Sequence, residues 1–291
     1  MLEQQIVNGV MVGSVYVLIA VSFTLAIGVL NFLNFSLPPI FMLCGMVAWS
    51  LSRIGLGWPL VIVAVFLTGA GISLVIERFT YRWLRSADHF TPLVSSMGFW
   101  ILIENLVLIH WGSDTQVVAS PFHDVSFRLF GLLFSALQLV GLAIAILLVA
   151  GLAMLIGSSN IGRGLRAVAE NTDTAIMLGV DVDRVVPVVF VISGIFTALA
   201  ALLFVFNYQQ VRFDMGEGVA LKGISAMVIG GMGSVWGAVV GGLLIGVVEV
   251  ISICRFGADF GKISIYGLLV TILIIRPTGL FGAAAIGQGR L

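Results

Sequence analysis

The stretch Ile6-Val7-Asn8-Gly9-Val10-Met11-Val12-Gly13-Ser14-Val15-Tyr16-Val17-Leu18-Ile19-Ala20-Val21-Ser22-Phe23-Thr24-Leu25-Ala26-Ile27-Gly28-Val29-Leu30 carries no charged residue. As a helix it is long enough to cross the ~30 Å hydrocarbon core of a bilayer. It is apolar on every side, so it is neither a surface helix with one wet face nor a barrel strand with alternating polarity. Lipid offers no partner to backbone N–H and C=O groups, which leaves the helix as the only workable form. The preceding Met1-Leu2-Glu3-Gln4-Gln5 lacks the positive start of a signal peptide, and the run is too long for one. It reads as a retained transmembrane helix.

The same pattern recurs down the chain. Phe35–Leu51, Trp58–Ile76, Pro92–Trp111, Gly131–Ile156 and Val185–Phe206 are apolar and separated by short polar breaks. Lys222–Ile253 is Gly-rich and would be ~48 Å as one helix, too long for a single span, so a break at Gly230-Gly231-Met232-Gly233-Ser234 is expected. Ile263–Ile275 is short for a span. The expectation is an all-α polytopic bundle of about eight transmembrane helices, one of them broken or re-entrant, forming a single domain over residues 1–291.

Composition agrees. Of 291 residues, 60% are hydrophobic and 10% charged, against about 25% charged in soluble domains. Net charge is zero, which removes the basic footprint of a nucleic-acid binder. Cys44 and Cys254 belong to no metal-ligand spacing and read as small apolar residues. The glycines, 35 in all, fit close helix packing in lipid, as in Gly237-x-x-x-Gly241 and Gly242-x-x-x-Gly246.

Basic residues set orientation. Arg78, Arg82 and Arg85 lie in one loop and Arg163, Arg166 and Arg184 in another, two spans apart. The loop between them has Arg128 against Asp114 and Asp124. Both basic loops are therefore expected on the cytoplasmic side, with the N-terminus outside. A broken Gly-rich segment would bring Arg276 and Arg290 inside as well.

The second basic loop, residues 157–184, is too polar to span. Leu165, Val168, Ala175, Met177 and Leu178 give it a partly helical apolar face, and Gly179 is a good C-terminal stop. The residues alone fit an interfacial loop helix and a docking helix for a partner equally well.

This loop resembles the ATPase-coupling loop of ATP-binding-cassette importer permeases of the Liv-type, branched-chain amino acid family. The matching residues are Arg166, Ala167, Ala169, Glu170, Ala175, Leu178 and Gly179. Asn8-Gly9 with Gly13-Ser14-x-Tyr16 is similar to the family's first span. Lys222-x-x-x-Ala226-x-Val228-x-Gly230-Gly231-x-Gly233-Ser234-x-x-Gly237-Ala238 resembles its Gly-rich segment, and Arg276-Pro277-Thr278-Gly279-Leu280-Phe281-Gly282 its C-terminal signature. The resemblance implies a permease subunit in the bacterial inner membrane, importing branched-chain amino acids or a related small solute. It implies a second homologous permease, two ATPase subunits holding ATP and Mg, and a periplasmic substrate-binding protein. This chain would itself be no enzyme and bind no cofactor. Arg163 and Asn171 join the matched loop residues as the coupling set. One departure is Asn34-Phe35-Ser36-Leu37-Pro38-Pro39, where the family often has Asn-Phe-Ala-His-Gly.

Polar residues at membrane depth are candidates for the pathway: Asn8, Ser14 and Tyr16 on the first span, Asn31 and Asn34 at the turn after it, and Glu104 and Asn105 further on. Proline at Pro38-Pro39 frees backbone groups that lipid does not tolerate, which also points to a wet cavity or a packed kink. Glu249 is a further intramembrane acid, with hydrogen bonding to a neighbouring helix as its ordinary explanation. No nucleotide-binding loop is present: Gly257-Ala258-Asp259-Phe260-Gly261-Lys262-Ile263 is one residue short and lacks the hydroxyl. His89, His110 and His123 are scattered, and no hydrolase motif appears. A stand-alone secondary transporter or channel is the alternative. It would want inverted repeats, which are not visible.

Overall fold

A computed structural model of the protein describes residues 2–84, 90–118, 126–129 and 132–282. Arg85, His89, His123, Asp124 and Arg290 lie outside these, as does the side chain of Arg128.

The helices, in chain order, are α1 (Leu2–Leu30), α2 (Leu37–Arg53), α3 (Trp58–Ile76), α4 (Arg82–Leu84), α5 (Phe90–Trp111), α6 (Ala136–Ser158), α7 (Asn160–Glu170), α8 (Thr172–Met177), α9 (Val182–Tyr208), α10 (Met215–Gly230), α11 (Val235–Phe256) and α12 (Ala258–Ile275). A π-helical turn at Glu77–Tyr81 joins α3 to α4, so this span runs on to Leu84. Among the described residues seven helices are long and apolar enough to cross a membrane, and α2, at 17 residues, is a shorter apolar one. That is close to the expected eight, with the Gly-rich segment supplying two helices, α10 and α11, in place of one broken span. The Gly-rich segment is broken where expected: α10 stops at Gly230, with Gly231 (φ 110°) and Gly233 (φ 85°) making a turn few other residues could adopt. The sequence reading placed the start of this segment at Lys222, whereas α10 begins at Met215.

Short strands confirm the threading. β1 (Gln116–Val117), after α5, pairs antiparallel with β4 (Gln210–Val211), after α9, in the register Gln116↔Val211. The outgoing ends of those two helices thus lie on one side. β2 (Ser126–Leu129) and β3 (Leu132–Ser135) form a separate hairpin. At the opposite side, Gly28 near the end of α1 faces Gly233. The C-terminal segment arrives there too: Leu280 and Phe281 donate backbone hydrogen bonds to Ile229 and Gly230, each 2.9 Å. These satisfy carbonyls that the end of α10 would otherwise leave bare. Arg276 therefore returns to the end of the bundle that carries Arg78, Arg82, Arg163, Arg166 and Arg184, here called the basic face.

Two helices form the interior. Leu18, Ala20 and Val21 of α1 and Val189, Ala198 and Ala200 of α9 are fully enclosed. Helices at the periphery bury only one stripe, as α6 does through Gly141, Ala145, Val149 and Leu152, a spacing of one helical turn. Ser22 and Ser193 exchange hydroxyl-to-carbonyl hydrogen bonds between α1 and α9 at 3.2 and 3.3 Å.

The tightest seam joins α1 to α11, antiparallel. A Cβ added to Gly246 would stand 2.5 Å from Gly13 Cα, one on Gly9 2.5 Å from Val247 Cα, and one on Gly242 2.7 Å from Val17 N. Only backbone fits there. Gly246→Leu should destabilise the protein by at least ~1–3 kcal/mol, the usual cost of overpacking. Gly71→Ala, on a part of α3 where nothing lies within 4 Å, should be neutral or stabilising by ~0.5–1 kcal/mol. Thermal unfolding of the detergent-solubilised protein checks both; equal melting temperatures for the two variants would contradict the seam.

Candidate functional site

The loop on the basic face folds as two short helices, not as one. Ser159 caps α7 by accepting from Gly162 N at 2.9 Å, and Asn171 breaks the helix with extended backbone and caps α8 by accepting from Thr174 N at 2.9 Å. Leu165, Val168 and Ala175 turn inward and are buried. Met177 and Leu178, read from sequence as part of the same apolar face, point outward instead, 85% and 76% exposed, with Ile176 beside them. The reason is the break at Asn171: α8 starts afresh there and turns Ala175 to the bundle, so Ile176 and Met177, at ~100° per residue, fall on its other sides and Leu178 caps its end. This apolar tip lies outside the membrane-spanning helices, on the basic face.

The predicted coupling residues serve different parts of this loop. Arg166 donates to the carbonyls of Ile156 and Gly157, closing the end of α6. Arg163 donates to Asn160. Ala167 and Ala169 are half-buried, and Glu170 is exposed. Asn171 is the hinge between α7 and α8, and Ala175, Leu178 and Gly179 shape the tip.

Within the membrane-spanning region, the candidate pathway residues divide. Ser14 donates to Met11 O in its own helix at 2.7 Å. Asn8 accepts from Gln4 at 3.1 Å. Asn31 (φ 56°) forms the turn after α1. Asn34 is buried and accepts from Ser36 N (3.1 Å) and Ser36 Oγ (2.5 Å), fixing the chain before α2. Asn105 faces outward and donates to Ile101 O at 2.7 Å. None of these five comes together with another around a cavity.

Tyr16 and Glu104 do meet further polar groups. Glu104 accepts from Trp100 Nε1 at 2.7 Å and lines a small crevice with Pro38, Pro39, Asp214 and Glu217. Tyr16 OH accepts from Lys222 Nζ at 2.9 Å, and Lys222 also donates to Glu249 Oε1 at 2.6 Å. The lysine lies 5.0 Å from the Tyr16 ring centre as well. This cluster ties α1, α10 and α11 together at one depth. Lys222 was missed as a site residue because it stands at the edge of the Gly-rich run, and its partner lies 27 residues away on another helix. Opposite charges inside adjoining apolar helices were the available signal.

Lys222 also lines a cavity of about 430 Å³ between α10, the α9–α10 connection and α12. Arg212, Asp214, Glu217 and Lys262 line it together with Phe204, Val211, Met215, Leu221, Ile265 and Tyr266. Arg212 and Asp214 pair with each other through two hydrogen bonds. Its volume lies within the ~300–1,000 Å³ range of small-molecule sites, and its lining is unusually rich in charge, with Arg212, Asp214, Glu217, Lys222 and Lys262 all on it. Among the described residues no cluster suited to a metal ion occurs.

Comparison with known proteins follows the same lines. The family profile described as branched-chain amino acid transport system / permease component matches residues 5–275. The chain is 32% identical to the high-affinity branched-chain amino acid transport system permease protein BraD of Pseudomonas aeruginosa, over 96% of this chain and 95% of that protein. It is 31% identical to the corresponding permease protein LivH of Salmonella typhimurium, with the same coverage. A more distant likeness, 26% identity over 79% of this chain and 63% of the relative, is to the autoinducer 2 import system permease protein LsrC of Yersinia enterocolitica.

The Lys222–Glu249 pair makes a stability prediction. Lys222→Met should leave a buried carboxylate uncompensated and cost ~3–5 kcal/mol, while Lys222→Met with Glu249→Leu should recover most of that loss. A double-mutant cycle of thermal unfolding measures the coupling; additive losses would show that the two groups do not support each other.

Proposed function

Because the chain belongs to the branched-chain amino acid transport system permease family, we propose that it is a membrane-spanning subunit of an ATP-driven importer for branched-chain aliphatic amino acids. The observation that carries this reading is the family match across nearly the whole bundle. The α7–α8 loop with its exposed Ile176-Met177-Leu178 tip supports the coupling part of it. The basic face is then cytoplasmic, by the excess of arginine there, and two ATPase subunits dock on it. The chain has no nucleotide-binding loop, so the ATP and Mg are held by those subunits. A binding protein delivers the solute on the opposite side, and a second, homologous permease completes the pathway. The membrane is the bacterial inner membrane.

Mechanistically, the loop is built to transmit movement. The tip ends in a glycine turn, so its direction is set by α8 and the Asn171 hinge. Leu165 and Val168 anchor α7 in the core, where it packs against α1, α6 and α9. Arg166 fixes α7 to the end of α6. An ATPase groove that moves the tip would therefore move interior helices and not merely a surface loop. Alternating access follows if α10, which is broken from α11 at Gly231, re-aims relative to α1.

The class is tested by ATP-dependent uptake of labelled leucine into proteoliposomes holding the assembled complex, with its binding protein supplied. Uptake that requires ATP and is competed by isoleucine and valine is expected; ATP-independent uptake by the permease alone would contradict it. The docking role has a separate test. Met177→Asp with Leu178→Asp should cut copurification of the ATPase subunits by about tenfold or more, the effect of losing ~1.4 kcal/mol or more from an interface, while the permease still elutes as a folded species. Undiminished copurification would remove the tip from the interface.

A further inference from the structure

The cavity between α10, the α9–α10 connection and α12 holds charges of three kinds. Arg212 and Asp214 neutralise each other, and Lys222 is neutralised by Glu249. Two charges remain. Glu217, in the first turn of α10, and Lys262, in the second turn of α12, both line the cavity. Among the described residues neither has an ion-pair or side-chain hydrogen-bond partner. Each has an ordinary explanation taken singly. An acid is favoured at a helix start by the backbone dipole, and a lysine near a helix end can reach the membrane surface. Neither explanation accounts for an unpaired acid and an unpaired base lining the same hollow together with Val211, Met215, Leu221 and Ile265.

That combination is the complement of one chemical class. An aliphatic α-amino acid presents a carboxylate, an ammonium and a branched apolar side chain. Resting on the reading of the chain as an amino-acid permease, we infer that this cavity holds the substrate in transit. The carboxylate faces Lys262, the ammonium faces Glu217, and the side chain lies on the apolar wall. Both charged groups are exposed, so the hold is weak. A transit site must release what it takes, and weak binding suits that need.

The test uses the complete complex in proteoliposomes, with binding protein and leucine saturating, so that the rate reports the permease and not capture. Lys262→Gln and Glu217→Gln should each lower the maximal leucine uptake rate by about two- to fivefold, the change expected from losing one exposed charged contact. Copurification of the subunits should stay unchanged, and Lys262→Arg and Glu217→Asp should keep most of the rate. Unchanged uptake in both glutamine variants would overturn the inference and leave the importer reading intact. A loss in Lys262→Arg as deep as in Lys262→Gln would overturn it too, since the charge would not be the operative feature. Failure of the unaltered complex to take up any amino acid would overturn the inference together with the reading it rests on. Should Lys262→Gln fail to assemble, Lys262→Cys provides a second measurement. Leucine should slow its reaction with a water-soluble maleimide, and equal rates with and without leucine would refute the site.

Discussion

The close antiparallel contact of α1 with α11 through Gly9, Gly13, Gly242 and Gly246 is the constraint on which the bundle rests. In lipid, two leucine-faced helices gain nothing by leaving hydrocarbon for each other, so association depends on close backbone approach and on polar contacts that lipid cannot make. With no side chain between them, α1 and α11 come to backbone contact. α10 is laid against both, and this alone brings Lys222 within reach of Tyr16 on one helix and Glu249 on the other. A lysine and a glutamate at such depth would each be untenable alone. The glycine seam thus makes possible the charged wall that the cavity needs.

The same seam explains the broken helix. α10 and α11 can double back beside α1 only if the chain turns sharply between them, and Gly231 and Gly233 supply positive φ angles at the turn. The bare carbonyls at the end of α10 are then met by the backbone of Leu280 and Phe281. The C-terminal signature Arg276–Gly282 is thereby part of the fold. Gly279 (φ 80°) sits against Val228 and Gly231, where a side chain would have no room.

Most of the bundle was legible because apolar length is a direct readout of bilayer thickness. The spans at Phe90–Trp111, Val182–Tyr208 and Val235–Phe256 differ from their sequence boundaries mainly at the ends, where polar residues extend a helix beyond hydrocarbon. The start of α10 was not legible. Gly216-Glu217-Gly218 reads as a loop in isolation, yet it is helical, with Gly216 packed against the backbone of Pro38. α12 reads as short because Asp259 and Lys262 interrupt it, although its helix runs the full Ala258–Ile275. Of the site, the polar α7–α8 loop with its glycine stop was visible, but the outward turn of Met177 and Leu178 was not, since it depends on the break at Asn171 that separates α7 from α8. Tyr16 and Glu104 were visible as polar groups in apolar runs. The cavity charges Arg212, Asp214 and Glu217 were not, because the first two belong to a connection and the third to a helix start whose depth only the folded chain reveals.

Coupling requires that the α7–α8 tip stand on the cytoplasmic side and be covered by the ATPase subunits, while the end of α11 stands on the other. The chain supplies its own reference, since Cys254 is exposed near the end of α11 and Cys44 is buried. The most direct measurement is labelling of a Leu178→Cys variant with a membrane-impermeant maleimide in right-side-out and inverted vesicles. The account predicts that Cys254 reacts only in right-side-out vesicles, and that the cysteine at position 178 reacts only in inverted ones and is protected when the ATPase subunits are bound. Reaction of the position-178 cysteine from the outside, or reaction undiminished by bound ATPase subunits, would contradict it.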